Sequence, residues 1–415
     1  MPAHRVVIVG TGFAGIWAAL GAAAARQSAH AEQDVEITVI GPGDSLLIRP
    51  RLYELDLRGT RVPLNGILPQ IQVRHVDGMV NRLLPDQQRV QTIGVAGEEL
   101  VPYDQLVLCA GSRRAVTLEA PRHHGVDNLA EAQALHEVLD SFGKTRPIVA
   151  VVGAGFEGIE VATELTERAD VHLIEQGDHV APGFGPAARA VIEEALRDLN
   201  IAVTLGTTAT PLDDGNLSLS NGTYLTPNVT VWATGPHAGN IGAAFGIQHD
   251  ELGRIPVDAT LQTSVDGVWA AGDCARAVAD RGHLALMSCQ HAMPMGARAG
   301  ANAVRDALGL RTERYSQPLY LTCLDLGASG ALLTAGFERD DVLATGESGK
   351  QFKRYINRGL IYPPSGDAQA LLKLGATRQP SGAAAAVQRR ALRSAALRRG
   401  ITKGEPDRAS QHLTT

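Results

Sequence analysis

Val6-Val7-Ile8-Val9-Gly10-Thr11-Gly12-Phe13-Ala14-Gly15 is a short apolar run that ends in G-x-G-x-x-G and passes into an alanine-rich helical pattern. The design returns at Ile148-Val149-Ala150-Val151-Val152-Gly153-Ala154-Gly155-Phe156-Glu157-Gly158. In such a run the first glycine permits a sharp turn from a buried strand into a helix. The second removes a side chain where a pyrophosphate must approach the backbone, and the third lets helix and strand pack closely. The phosphates then meet unpaired N–H groups at the positive end of the helix. One such loop is a weak signal. Two, each between a buried-type strand and a helix, indicate two dinucleotide-binding units in an α/β chain.

The strand that follows each loop separates the two copies. In the first, Glu36-Ile37-Thr38-Val39-Ile40 runs into Gly41, so the acid that holds a ribose hydroxyl in many such folds is missing. Asp44 or backbone groups must replace it. In the second, Asp170-Val171-His172-Leu173-Ile174 ends in Glu175, 22 positions after Gly153. A carboxylate there accepts from a 2′-hydroxyl and repels a 2′-phosphate, and the next residues, Gln176 and Gly177, supply no arginine. The expected nucleotide is NADH rather than NADPH.

The halves also share a closing signal. Leu106-Val107-Leu108-Cys109-Ala110-Gly111 and Val229-Thr230-Val231-Trp232-Ala233-Thr234-Gly235 are apolar runs ending in glycine. Trp269-Ala270-Ala271-Gly272-Asp273 places a carboxylate at the end of another strand. Cys289-Gln290-His291-Ala292-Met293-Pro294 leads into a helix expected over 296–308, and 351–358 reads as a short basic helix. His123-His124 has no third ligand at metal spacing and reads as a surface loop.

With 415 residues, 44% hydrophobic and 20% charged, the chain has room for two or three soluble domains. Its formal charge of −6 gives no sign of nucleic acid as the main partner, and 4% aromatic content disfavours stacking platforms. Cys109, Cys274, Cys289 and Cys323 form no C-x-x-C, which argues against a zinc site and a redox dithiol. No metal site is expected. With the first strand expected close to Met1, no signal peptide is expected, and no apolar run reaches membrane-spanning length. The expected location is cytoplasmic, with peripheral attachment at the inner face of the membrane as the alternative.

These residues resemble the two-dinucleotide-binding-domain flavoproteins, and among them the type II NADH dehydrogenases, over roughly residues 4–375. The resemblance implies two Rossmann-like domains, one inserted in the other: 1–115 and 241–310 for FAD, 116–240 for NADH, then an α+β cap over 311–375 and a basic tail over 376–415. It implies that Gly10, Gly12, Phe13, Ala14 and Gly15 hold FAD, with Arg49-Pro50, Ala110-Gly111 and Gly272-Asp273. NADH falls to Gly153, Gly155, Phe156, Glu157, Glu175 and Gly235. Glu160 matches the family's glutamate near the nicotinamide and is the candidate general acid. Gln290 would stabilise the reduced flavin's pyrimidine edge. Arg49-Pro50 with Leu52-Tyr53-Glu54, and Tyr362-Pro363-Pro364, are similar to further motifs of the family.

Two departures bear on the electron acceptor. The family's A-Q-x-A-x-Q segment, which borders its quinone site, keeps Gln290 but has Pro294 in place of the second glutamine. The bulky amphipathic anchor is also missing from the basic helix pattern at 383–399. The acceptor is therefore either a quinone or a small-molecule pathway substrate, and a non-catalytic nucleotide-bound sensor is the third reading. A homodimer is the candidate assembly.

Overall fold

The computed structural model describes residues 2–94, 97–114 and 122–376; the basic-tail expectation lies outside these apart from Ala376. Two five-stranded sheets form the frame, each parallel throughout. The first runs in the order Val268–Ala270, Gln105–Leu108, His4–Val9, Val35–Gly41, Arg74–Asp77. The second runs His123–His124, Val229–Trp232, Ile148–Val152, Asp170–Ile174, Ala202–Thr204. The closing runs that share a sequence pattern, 105–108 and 229–232, take the same place beside the first strand of each sheet.

Continuous apolar runs such as Val6–Val9 and Val149–Val152 are buried on both sides, as parallel strands covered on both faces require. In the first sheet the cover is α1 (Phe13–Ser28). In the second, α2 (Leu129–Ser141), α3 (Phe156–Leu165) and α4 (Pro186–Asp198) meet Val149, Val151, Leu173 and Val231. The opposite face, with Ala150, Val152, Ile174 and Trp232, packs on a small antiparallel sheet through Leu217 and Leu219. His123 is buried in the edge strand, its ring 5.8 Å from that of Trp232, so the expected surface loop is replaced by a strand that parallel pairing to Thr230 draws in.

The chain then returns to the first sheet and enters α5 (Cys289–Ala307), which starts seven residues earlier than the sequence suggested. Pro294 was expected to precede the helix, yet it lies within it. Proline removes the N–H that would bind the carbonyl of Gln290 four residues back. That carbonyl instead accepts from the Gln317 side-chain amide at 3.1 Å, so the helix passes the proline without leaving an orphan.

Helices α1 and α5 approach closely because small residues line the seam. A Cβ on Gly296 would overlap the Ala14 carbonyl, and one on Gly300 the Ala18 carbonyl. Gly300→Ala is expected to cost about 1–3 kcal/mol through overpacking. Denaturant unfolding would check this, and a shift below 0.5 kcal/mol would mean the seam relaxes freely.

The last part is an antiparallel sheet of Leu321–Asp325, Ala331–Ala335 and Asp341–Ala344 with α6 (Gly346–Tyr355), a π-turn at Ile356–Leu360 and α7 (Ala368–Ala376). Helix α6 replaces the helix expected at 351–358. It begins earlier, where Thr345-Gly346 breaks the preceding strand. This cap touches both halves: Leu324, Leu326 and Leu332 join the core of the second, while Leu371 of α7 joins that of the first. None of the described helices is long and apolar enough to cross a membrane.

Candidate functional site

The two glycine loops have the same local build. Gly10 (φ +120°) and Gly153 (φ +104°) turn tightly against the Cys109 and Ala233 carbonyls, where any Cβ would overlap. Gly15 and Gly158 sit against the carbonyls of Gly10 and Gly153. By contrast, a Cβ on Gly12 or Gly155 would meet nothing within 4 Å. The first and third glycines are thus required by the protein itself, while the second leaves a clear path to the backbone.

Helix starts tell the same story. Asn128 caps α2, Asp340 reaches from the cap to the Ala187 N–H of α4 at 2.7 Å, and Ser288 caps α5. Neither α1 nor α3 has a side-chain cap, and α6 also lacks one. Free N–H groups behind an open glycine suit a pyrophosphate at each loop. Gly111 (φ +68°) and Gly235 (φ +89°) follow the neighbouring strands and likewise leave open space. Beyond them, Ser112–Arg114 and Pro236–Ala238 pair antiparallel and tie the halves together where the chain crosses between them.

Gly41 and Glu175 occupy matching places, one residue past the pairs Val9↔Ile40 and Val152↔Ile174. The buried Glu175 carboxylate accepts from Ala154 N–H at 2.7 Å and Gly177 N–H at 2.8 Å, which holds it in its loop. At Gly41 a Cβ would come within 2.7 Å of Thr11 Cγ2, so a side chain there would have to displace Thr11. Asp44 points to solvent and pairs with Arg61 at 2.7 Å.

Charged groups collect between the halves. Asp273 follows the strand Val268–Ala270 and accepts from Ser112 Oγ at 2.6 Å. Burial raises its carboxyl above the usual range, opposed by Ser112 and Arg49. Arg49 donates to Ser112 O at 2.9 Å and to Asp127 at 3.0 Å, so it bridges two segments. Pro50 sits in its short 3-10 turn, Arg49–Arg51. Asp127 also accepts from the Arg114 N–H, and Arg114 reaches Glu131 at 3.2 Å. Glu157, in the first turn of α3, faces this group.

A second ionic group is buried where α3 meets the cap. Glu160 Oε1 accepts from Lys353 Nζ at 2.7 Å and from Asp325 N–H at 3.0 Å. Asp325 pairs with Lys350 and accepts from the Tyr53 hydroxyl at 2.9 Å. Asn357 donates to Glu54 at 2.9 Å, and Arg51 bonds both Glu54 and the Tyr362 hydroxyl at 2.8 Å. Burial pushes the Glu160 carboxyl up to about 7, against the pull of Lys353. Burial also opposes charge on Lys353, but Glu160 keeps it above its ordinary value. The 51–54 stretch and Tyr362 were visible as motifs. Lys353, Asp325 and Asn357 were not, because nothing local distinguishes a lysine whose partner lies 193 residues away.

At the start of α5 the Gln290 side-chain amide pairs with the backbone N–H and C=O of Leu321. His291 stacks on Tyr320 with centroids 4.7 Å apart, and its Nδ1 lies 3.1 Å from Gln317 Oε1. Burial lowers its pKa to about 4, so it is neutral at physiological pH. The four cysteines are free; Cys109, Cys274 and Cys323 are buried and Cys289 is half-buried.

Two nucleotide-binding folds, repeated and joined by a double crossover, define the class of pyridine-nucleotide oxidoreductases. The pyridine nucleotide-disulphide oxidoreductase model matches residues 4–296, and the chain belongs to that family. It is 37% identical to an NADH dehydrogenase-like protein of Mycobacterium tuberculosis, over 88% of this chain and 96% of that protein. It is 24% identical to the type II NADH:quinone oxidoreductase of Haemophilus influenzae, over 83% and 90% of the two chains. In fold it is similar to NDH2 of Plasmodium falciparum, solved in complex with NADH, with a TM-score of 0.70, 13% identity, and 90% and 97% of the chains covered.

Proposed function

We propose that the chain is an NADH dehydrogenase-like flavoenzyme that binds FAD at the first glycine loop and NADH at the second. The FAD part comprises residues 1–115 and 241–310, the NADH part 116–240, and the cap 311–375. The observation that carries the assignment is the contrast between Glu175, hydrogen-bonded into its loop, and Gly41, which supplies no acid and packs tightly against Thr11. FAD, when bound, supplies the two-electron chemistry between NADH and an acceptor.

Around it the protein contributes position and charge. Gly12 and Gly155 clear the backbone for two pyrophosphates, and the N-termini of α1 and α3 offer N–H donors. Asp273, steadied by Ser112, accepts hydrogen bonds from a flavin side-chain hydroxyl. Glu160 Oε1 is engaged by Lys353 and Asp325, which leaves Oε2 to carry a proton near neutral pH. Gln290 and His291 fasten α5 to the cap and thereby fix the edge of the acceptor side.

For the acceptor we infer a quinone, supported by the name of the Haemophilus influenzae relative. A small soluble acceptor is the second reading. It is favoured by the Gln290–Leu321 and His291–Gln317 contacts, which fill the segment that borders the family's quinone site. Rapid mixing with NADH should bleach the flavin; no bleaching would remove the enzymatic reading. Reoxidation by a water-soluble quinone much faster than by oxygen is the expected second result.

Glu175→Ala should erode discrimination against NADPH by about 10-fold or more, since a hydrogen bond to a charged group is worth about 1.5–3 kcal/mol. An unchanged ratio of kcat/KM values for NADH and NADPH would refute this role.

A further inference from the structure

A carboxylate reaches the strand end at Gly41 from the neighbouring strand. Gly41 and Glu175 occupy matching places, and two residues on Gly43 matches Gly177. In the second half Glu175 itself fills the corner: Oε1 accepts from the Gly177 N–H at 2.8 Å and Oε2 from the Ala154 N–H at 2.7 Å. In the first half the Gly43 N–H donates to Asp77 Oδ1 at 2.7 Å. The same backbone group, two residues past the strand end, thus meets a carboxylate oxygen in both halves.

Asp77 is the parallel register partner of Gly41 and ends the strand Arg74–Asp77. Neighbouring strands lie about 4.8 Å apart, so its Cα is one strand spacing from where an acid at position 41 would stand. His75, two residues earlier in that strand, has Nε2 3.1 Å from the Gly41 carbonyl oxygen, so the strand holds both ends of the turn 41–43. Asp77 is exposed, and its Oδ2 has no partner among the described residues. Thr11 matches Ala154 in the second loop. The Ala154 N–H is taken by Glu175, whereas the Thr11 N–H has no acceptor among the described residues. Asp44 differs: its Oδ1 is shared by Arg61 at 2.7 Å and Ser45 at 3.1 Å.

We propose that Asp77 is the acceptor for an adenosine ribose hydroxyl of FAD at the first loop, the part assigned to Glu175 for NADH at the second. This rests on the reading of the first loop as the FAD site. The carboxylate has moved sideways by one strand. The Gly43 N–H fixes Oδ1, as the Gly177 N–H fixes Glu175, and Oδ2 remains to accept from the ribose. A ribose hydroxyl can donate to that oxygen and accept from the Thr11 N–H. The exchange also leaves the space beside position 41 to Thr11, which a side chain at that position would displace.

The test is calorimetric titration of the flavin-stripped protein with FAD and with its 2′,3′-dideoxyadenosine analogue. Asp77→Ala should weaken FAD about 10-fold, the lower end for a hydrogen bond to a charged group, and the analogue less than about 2-fold. Asp77→Asn keeps an acceptor without the charge and should fall between. Asp44→Ala should bind both ligands as the wild type does. The analogue also controls for folding, since a damaged loop would lose both ligands alike. Equal weakening of the two by Asp77→Ala would make Asp77 a support of the turn 41–43 only, and would overturn the proposal. An unchanged FAD affinity in Asp77→Ala, a wild type that binds the two ligands equally, or a loss confined to FAD in Asp44→Ala would overturn it as well. A wild type that binds neither ligand would instead overturn the reading of the first loop, and the role of Asp77 with it.

Discussion

Lys353→Met is expected to destabilise the protein by about 3–5 kcal/mol at pH 8, the cost of leaving a buried charge without its partner. Lys353 and Glu160 are both buried, and their 2.7 Å pair is supported by the Cys323 carbonyl and the Asp325 N–H. Methionine fills a similar volume, so the change removes charge rather than packing. The pH dependence has a definite sign. Glu160 has a folded pKa above its unfolded value, so its neutral form favours the folded state at low pH. That contribution is lost as pH rises through about 7. Without Lys353 to favour the ionised form, the carboxyl keeps its proton to higher pH and the loss continues further. The destabilisation should therefore be smaller at pH 5.5 than at pH 8, by up to about 1.4 kcal/mol for one proton that the wild type loses near pH 7, and Glu160→Gln added to Lys353→Met should recover part of the loss at pH 8. Urea unfolding at both pH values gives the answer. Equal losses at the two pH values would mean that Glu160 is not the group left unpaired.

The pair also explains why part of this molecule was readable from sequence and part was not. Each glycine loop is a local device: strand, turn and helix lie within about 30 residues, and the spacing of Gly153 and Glu175 is set by one βαβ unit. Both sheets and their shared order follow from signals of that kind. Pro294 misled because a proline usually marks a helix boundary, and its compensation, Gln317 bonding the Gln290 carbonyl, comes from 27 residues further on. His123 misled because a pair of histidines after a loop is a surface pattern, whereas strand pairing with Thr230 buries it. The ionic group under the cap lay furthest from view. Tyr53, Glu160, Asp325 and Lys353 come from four separate segments, and only the docking of the cap on α3 gives each its partner.

The same logic gives the largest expected effect on cofactor retention, at a residue whose place was legible. Asp273→Ala should purify with its yellow colour reduced by about 10- to 100-fold in FAD affinity, which corresponds to one hydrogen bond to a charged group at about 1.5–3 kcal/mol. Gly272 (φ +76°) holds the turn against Ala14 in the first loop, where a Cβ would come within 2.6 Å of the Ala14 side chain. Asp273 is thereby pinned beside the start of α1. One of its oxygens accepts from Ser112, while the other has no partner among the described residues. In the proposed FAD site that free oxygen is the acceptor for a flavin hydroxyl. Alanine removes it and also leaves the Ser112 hydroxyl without its acceptor. Asparagine keeps one acceptor without the charge, so Asp273→Asn should fall between wild type and Asp273→Ala. The ratio of flavin to protein absorbance, followed by titration of the stripped proteins with FAD, measures all three. Circular dichroism and the melting temperature of the stripped forms should coincide, since Asp273 is half-buried and bonds only Ser112 within the protein. An Asp273→Ala protein that keeps full colour would place the FAD side chain away from this turn. A stripped variant that melts well below stripped wild type would make Asp273 a structural residue instead. The graded order of wild type, asparagine and alanine, with unchanged melting of the stripped forms, is the outcome that a direct contact with FAD requires.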